Sequence, residues 1–106
     1  GLSDQERAYG IHGGDIETSI LLACRPDLVR RDFAPSSLPT QLERLKHPPF
    51  MGPLTFGWLT EDLTDNGVLG DDTTANADRG EIYLNQAAAE VAELLQEIQA
   101  FHFDLS

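Results

Sequence analysis

Five of the chain's six prolines fall between residues 30 and 53: Pro35, Pro39, Pro48, Pro49 and Pro53. Each lacks a backbone N–H, fixes its own φ and steers the residue before it away from the helical region. No regular helix runs through such a stretch, and no central strand passes through it. Regular structure is therefore pushed to the two flanks of a 106-residue chain, a length that suits one domain. A connection this long is rarely idle in a compact domain. It forms a binding loop, an interface arm or a mobile segment. Within it, only Gln41-Leu42-Glu43-Arg44-Leu45-Lys46 has the composition of a short helix, and His47 before Pro48-Pro49 reads as a surface loop residue.

On the N-terminal flank, residues 1–10 read as a polar lead-in. Gly14 or Asp15 can cap a helix, and Glu17 in its first turn suits the helix dipole. Ile16, Ile20 and Cys24 lie four apart with Leu21 beside them, an apolar stripe that predicts a buried face with Cys24 as a small core residue. Pro26 ends that helix at Arg25, and Pro26-Asp27-Leu28-Val29 allows one further turn.

On the C-terminal flank, Leu54, Phe56 and Trp58 alternate with Thr55, Gly57 and Leu59, a period of two that predicts a strand. Asn66-Gly67 signals a turn, and Val68-Leu69 allows a brief pairing that Gly70 stops. Asp71-Asp72-Thr73 offers caps for a second helix over 73–101, about 43 Å long at the helical rise. Its stripe is Leu84, Ala88, Val91, Leu95, Ile98 and Phe101, widened by Ala87 and Leu94. Gly80 interrupts it and costs about 1 kcal/mol relative to Ala unless something packs close. His102 sits where a cation suits the helix end. One strand and two helices cannot satisfy the strand's backbone groups or bury both helices. The layout implies part of a larger α/β body, as a fragment or as a chain whose partners supply the rest of the sheet.

Charge narrows the function classes. Lys and Arg number 7 against 18 Asp and Glu, a net charge of −11. Such a surface repels phosphate backbones and anionic lipid, so neither nucleic acid nor membrane is an expected partner. No apolar run approaches the ~20 residues that span a bilayer. The polar start does not resemble a signal peptide, and a lone cysteine cannot form an internal disulfide, so a cytoplasmic location is expected. Zinc-type Cys/His spacing is absent. Asp62, Thr64 and Asn66 followed by Gly67 imitate the start of an EF-hand loop. Thr73 stands where the loop needs a bidentate Glu, which makes a calcium module the weakest reading.

The stretch with most chemistry is Ile11-His12-Gly13-Gly14-Asp15-Ile16-Glu17-Thr18-Ser19. It sets an imidazole, two glycines and a carboxylate at a helix entrance. The glycines let the backbone take positive φ and approach a ligand, while the helix points free N–H groups at the same spot. The plain alternative is a tight turn with a structural histidine.

That stretch, continuing through Ile20-Leu21-Leu22-Ala23 to Arg25-Pro26-Asp27-Leu28-Val29, resembles the creatininase family of metal-dependent amidohydrolases. The family pattern is His-(Gly/Ala)-Gly-x-x-Glu-Thr-Ser, a helix rich in Leu, Met and Ala, then Pro-(Asp/Glu)-Leu-Val. The run Asp65-Asn66-Gly67-Val68-Leu69-Gly70-Asp71 is similar to the family's Gly-Val-x-Gly-Asp segment, and Ala77-Asp78-Arg79-Gly80 also matches. The resemblance is to the family's C-terminal portion, over residues 1–106. It implies an α/β fold, the C-terminal part of a three-layer α/β/α architecture with a mainly parallel sheet, and often a hexamer. It also implies hydrolysis of a non-peptide or cyclic amide with a divalent metal, Zn, Mn or Fe. By resemblance His12 is the proton shuttle to the leaving nitrogen, a task that suits an imidazole's ordinary pKa of about 6.5. Gly13 and Gly14 would let backbone approach the substrate. Glu17 would be a metal ligand or the residue that anchors one. The family's Glu-x-His pair and Asn-Gly-His motif, which hold most of the metal, are not in this sequence. Ala8-Tyr9-Gly10-Ile11 replaces the Trp and acidic residues that precede the histidine in creatinine-hydrolysing members, which leaves the amide open. The alternative to an enzyme is a catalytically inactive truncated subunit that keeps only packing and oligomer contacts.

Overall fold

The computed structural model describes residues 2–32, 35–50 and 52–104; residues 33, 34 and 51 of the proline-rich stretch lie outside it. Four α-helices are present among these residues: α1 (Asp4–Tyr9), α2 (Asp15–Cys24), α3 (Thr60–Leu63) and α4 (Ala77–Ala100). Single 3₁₀ turns cover Pro26–Leu28 and Thr40–Arg44.

The sequence explains most of these boundaries. Gly14 precedes the first turn of α2, and the helix stops at Arg25 because Pro26 follows. Pro26 then opens the expected further turn. The Asn76 side chain caps α4 by accepting the Arg79 N–H at 2.9 Å. Asp71-Asp72-Thr73 therefore does not cap it. The Asp71 carboxylate instead accepts the Thr73 N–H and O–H at 3.0 and 2.7 Å. Those two bonds, the hydroxyl's first, hold the Asp71 carboxyl below its ordinary pKa.

α2 and α4 form the main contact of the structure, and small and polar groups make it. A Cβ added to Gly80 would stand 1.8 Å from the Ser19 carbonyl oxygen. Only glycine lets the two backbones approach this closely. Ser19 has no exposed surface, and its Oγ accepts the Asn76 N–H at 3.1 Å. Asp15 is 1% exposed. Its Oδ2 pairs with Arg79 Nη1 at 2.8 Å and also accepts the Thr74 hydroxyl. The Tyr83 hydroxyl donates to Asp15 Oδ1 at 3.4 Å and accepts from Arg79 Nη2 at 2.7 Å. That hydrogen bond is the main cause that raises the Arg79 pKa, with Asp15 adding to it. Buried apolar side chains among the described residues are Leu42, Leu69 and Ala75, with Pro39 and Pro49.

Four expectations are corrected. The first is the fold class. No strand and no sheet occur among the described residues, so the chain is not a parallel-sheet α/β fold; two isolated antiparallel bridges, His12–Leu69 and Ser37–Gly70, are the only β-type pairing there. The run at 54–58 has no regular structure and pairs with no described backbone, and Leu54 and Phe56 are 64% and 52% exposed. Period two is a local property, whereas a strand needs a neighbour for its N–H and C=O groups. Second, residues 1–10 are not a featureless lead-in. Ser3 caps α1 by accepting the Glu6 N–H at 3.1 Å, and Glu6 is buried. Third, the apolar stripe of α2 faces outward. Ile16, Leu21 and Cys24 are exposed, while Asp15, Thr18 and Ser19 are buried. Fourth, α4 starts four residues later than expected, at Ala77. Its apolar side chains are also exposed, among them Leu84, Val91, Leu95 and Ile98.

The proline-rich connection is tied to the segment before α4. Ser37 and Gly70 exchange N–H···O bonds of 3.0 and 2.7 Å. Asn66 Nδ2 donates to the Pro35 carbonyl at 2.9 Å, and Ser36 Oγ donates to the Asp72 carboxylate at 3.0 Å. This holds residues 66–72 in place beside α2.

Two outcomes are expected from the crossing. Gly80→Ala in an exposed helix would gain about 1 kcal/mol; here the clash with the Ser19 backbone makes it destabilising by about 1–3 kcal/mol, read from urea unfolding. Arg79→Met leaves the Asp15 carboxylate buried without its cation and lowers stability by about 3–5 kcal/mol in the same measurement. A neutral result for either would remove the crossing as the organising contact.

Candidate functional site

His12 lies on the short strip between α1 and α2. Its N–H donates to the Leu69 carbonyl at 3.1 Å and its carbonyl accepts the Leu69 N–H at 2.9 Å. The Ile11 N–H also donates to Leu69 O, at 2.7 Å. The backbone is thus pinned on one edge while the imidazole points outward, 69% exposed.

The next residue turns the chain into α2. Gly13 has φ +68°, in the left-handed region that glycine enters at least cost. Its N–H donates to Glu17 Oε2 in a short contact. Glu17 sits in the first turn of α2, 54% exposed, with Oε2 3.9 Å from His12 Nδ1. The imidazole and the carboxylate are therefore brought side by side. Gly14 is needed for a different reason. A Cβ there would lie 1.9 Å from Glu6 Oε1, so this glycine gives way to a buried carboxylate. His12, Gly14 and Glu17 line an open groove of about 370 Å³, together with Leu2, Arg7 and Ile16.

The groove lacks the donors of a complete metal centre. Among the described residues no group of three or more His, Cys, Asp or Glu could hold a metal ion. His12 and Glu17 supply one nitrogen and one carboxylate, and one oxygen of that carboxylate already accepts the Gly13 N–H. A tetrahedral catalytic site takes three protein ligands and leaves one position open. The described residues do not fit a metal by themselves.

The other singled-out residues lie elsewhere. Asp62 accepts the Leu59 N–H at 2.8 Å. The Asn66 side-chain carbonyl accepts the Val68 N–H at 2.9 Å and the Thr64 hydroxyl at 3.0 Å. The oxygens of the EF-hand-like run are thus turned on their own backbone and neighbours. His47 and His102 are exposed and far along the chain from His12.

Sequence reasoning missed Glu6. Its Oε1 accepts the Asp15 N–H at 2.9 Å and its Oε2 the Asp71 N–H at 2.7 Å. A signal was present: Ser3-Asp4-Gln5-Glu6 is the Ser-x-x-Glu pattern of a helix start. It predicts a helix there but not where the glutamate reaches.

No helix of the described residues is long and apolar enough to cross a membrane. Comparison with known proteins found no matching curated protein and no matching solved structure. A family model does match, over residues 1–95, and its description is creatinine amidohydrolase. That match takes in α1, the His12 strip, α2, the segment tied to Leu69 and most of α4, so the chain belongs to the creatininase family.

Proposed function

We propose that this chain contributes to the active site of an amidohydrolase that cleaves a non-peptide or cyclic amide C–N bond. One observation carries the proposal: His12 and Glu17 stand 3.9 Å apart at the edge of an open groove, on a backbone fixed by Leu69 and Gly13. In this reading His12 protonates the departing nitrogen, a transfer that a positioned imidazole accelerates by about 10²–10⁴-fold. The exposed ring leaves room for a small amide beside it, and Gly14 is the one of the two glycines that lines the groove, while Gly13 faces a separate depression beside Val68 and Asp72. With ligands from a companion chain, Glu17 would hold a divalent metal, Zn, Mn or Fe, directly or anchor one of its ligands, and the metal would supply water activation.

The remaining ligands would come from a companion chain, since further copies of these residues carry the same donors; a homo-oligomer, a hexamer being one arrangement, would add packing contacts. The outward apolar faces of α2 and α4 support such an assembly, because apolar surface on this scale is usually covered. A second reading, a non-catalytic subunit that keeps only packing contacts, is favoured by the small number of metal donors.

Turnover of creatinine and small formamides by the native assembly, supplied with Zn²⁺ or Mn²⁺, separates the two. Formation of the ring-opened acid from creatinine, or of formate and amine from a formamide, at enzymatic rates supports the hydrolase, and its absence in the metal-loaded assembly supports the packing subunit. His12→Ala is expected to lower kcat by about 10²–10⁴-fold with metal content unchanged. An equal loss of metal would make His12 a ligand. Glu17→Gln is expected to lower metal occupancy by about 10–100-fold in affinity, measured by metal analysis after dialysis. Unchanged metal and rate would remove Glu17 from the site.

A further inference from the structure

Two acidic side chains are buried among the described residues, Asp15 and Glu6. Asp15 has Arg79 as its counterion. Glu6 has no cation among the described residues, and backbone N–H groups serve it instead. A buried carboxylate is costly unless hydrogen-bonded, and bonds from backbone N–H at a helix entrance are among the stronger ones.

The two donors stand on opposite sides of the His12 strip. Asp15 opens α2, three residues after His12 and two before Glu17. Asp71 follows two residues after Leu69, whose backbone holds His12. One carboxylate from α1 therefore clamps both supports of the imidazole, at 2.9 and 2.7 Å. The strip wraps tightly around it. A Cβ on Gly10 would lie 2.4 Å from the Glu6 carboxyl carbon, and one on Gly14 would lie 1.9 Å from Oε1. Gly70 in turn lies against Gly14, with its Cβ position 2.5 Å from the Gly14 Cα. Three glycines thus leave room for one carboxylate and for each other.

We infer that Glu6 is a positioning residue: its buried carboxylate fixes the register between the His12 strip and the first turn of α2, and so holds the imidazole beside Glu17. Its effect on turnover rests on the amidohydrolase reading; its effect on geometry does not. Glutamine is isosteric but accepts at only one of the two oxygens, and its NH₂ would face an N–H donor. Aspartate keeps the charge but is one methylene too short to reach both donors.

The test uses the intact protein with ¹⁵N-labelled histidine. In the wild-type background, Glu17→Gln displaces the His12 ring resonances at fixed pH, because the neighbouring carboxylate is lost. In the Glu6→Gln background the same substitution is expected to displace them by about threefold less, since the pair is no longer held together. Equal displacement in both backgrounds overturns the inference. Hydrogen exchange at the Asp15 and Asp71 amides is expected to quicken about tenfold or more in Glu6→Gln. In an active assembly, Glu6→Gln is expected to lower kcat per folded molecule by about tenfold or more with KM and metal content within about twofold. A merely structural role would lower the melting temperature and leave that kcat unchanged. If Glu6→Gln does not fold, exchange in the wild-type protein decides: slow Asp15 and Asp71 amides support the clamp, and amides as fast as that of Gly67 overturn it. Absence of amide turnover in the wild type would sink the amidohydrolase reading alone, because the resonance and exchange measurements still decide the positioning role.

Discussion

The close crossing of α2 and α4 depends on a carboxylate that cannot leave. Asp15 is buried at the start of α2, and Arg79 reaches it from the first turn of α4. Tyr83 and Thr74 supply the remaining hydrogen bonds. A buried charge of this kind is strongly destabilising once its partner is removed. The crossing also needs Gly80, which lets the Ser19 carbonyl approach where any side chain would block it. Charge and close approach act at one place, and the helices meet there through polar atoms.

This arrangement reverses the usual use of a helix face. The small and polar side of α2 packs inward, and the apolar side is left open. α4 does the same along most of its length. Hydrophobic burial within these residues is small, with Leu42, Leu69, Ala75, Pro39 and Pro49 as the buried apolar side chains among those described. The hydrogen-bonded carboxylates of Glu6 and Asp15 give the local geometry its specificity, while the apolar stripes stay exposed. The chain's membership of the creatininase family fits a segment whose local motifs are fixed from within and whose outer faces are not.

Much of the local structure was legible, and the reasons are short-range. Pro26 ends α2 because its ring acts on the next residue back. Gly80 reads as a costly interruption of the helix unless something packs close, and the Ser19 carbonyl does pack there. The proximity of His12 and Glu17 follows from their spacing across a glycine turn into a helix. What failed was long-range. The alternation at 54–58 carries no information about whether a neighbour exists to pair with it. The stripe of Ile16, Leu21 and Cys24 predicted an inward face, but Asp15 and Arg79, 64 positions apart in sequence, turned the helix the other way. The role of Glu6 is hidden for the same reason, since its partner Asp71 lies 65 positions away. The parallel-sheet fold came from the family resemblance and from one strand-like period, and neither has a counterpart in the described backbone.

The contact between Gly80 and the Ser19 carbonyl has one more consequence. A helix places successive residues about 100° apart around its axis. Fixing Ser19 against α4 therefore fixes the azimuth of every other residue on α2, including Glu17 half a turn away. Any roll of α2 that swung the Glu17 carboxylate aside would drive Ser19 out of the notch left by Gly80. The missing side chain at residue 80 thus acts as a detent, setting from the far side of the helix the direction in which the Glu17 carboxylate can point.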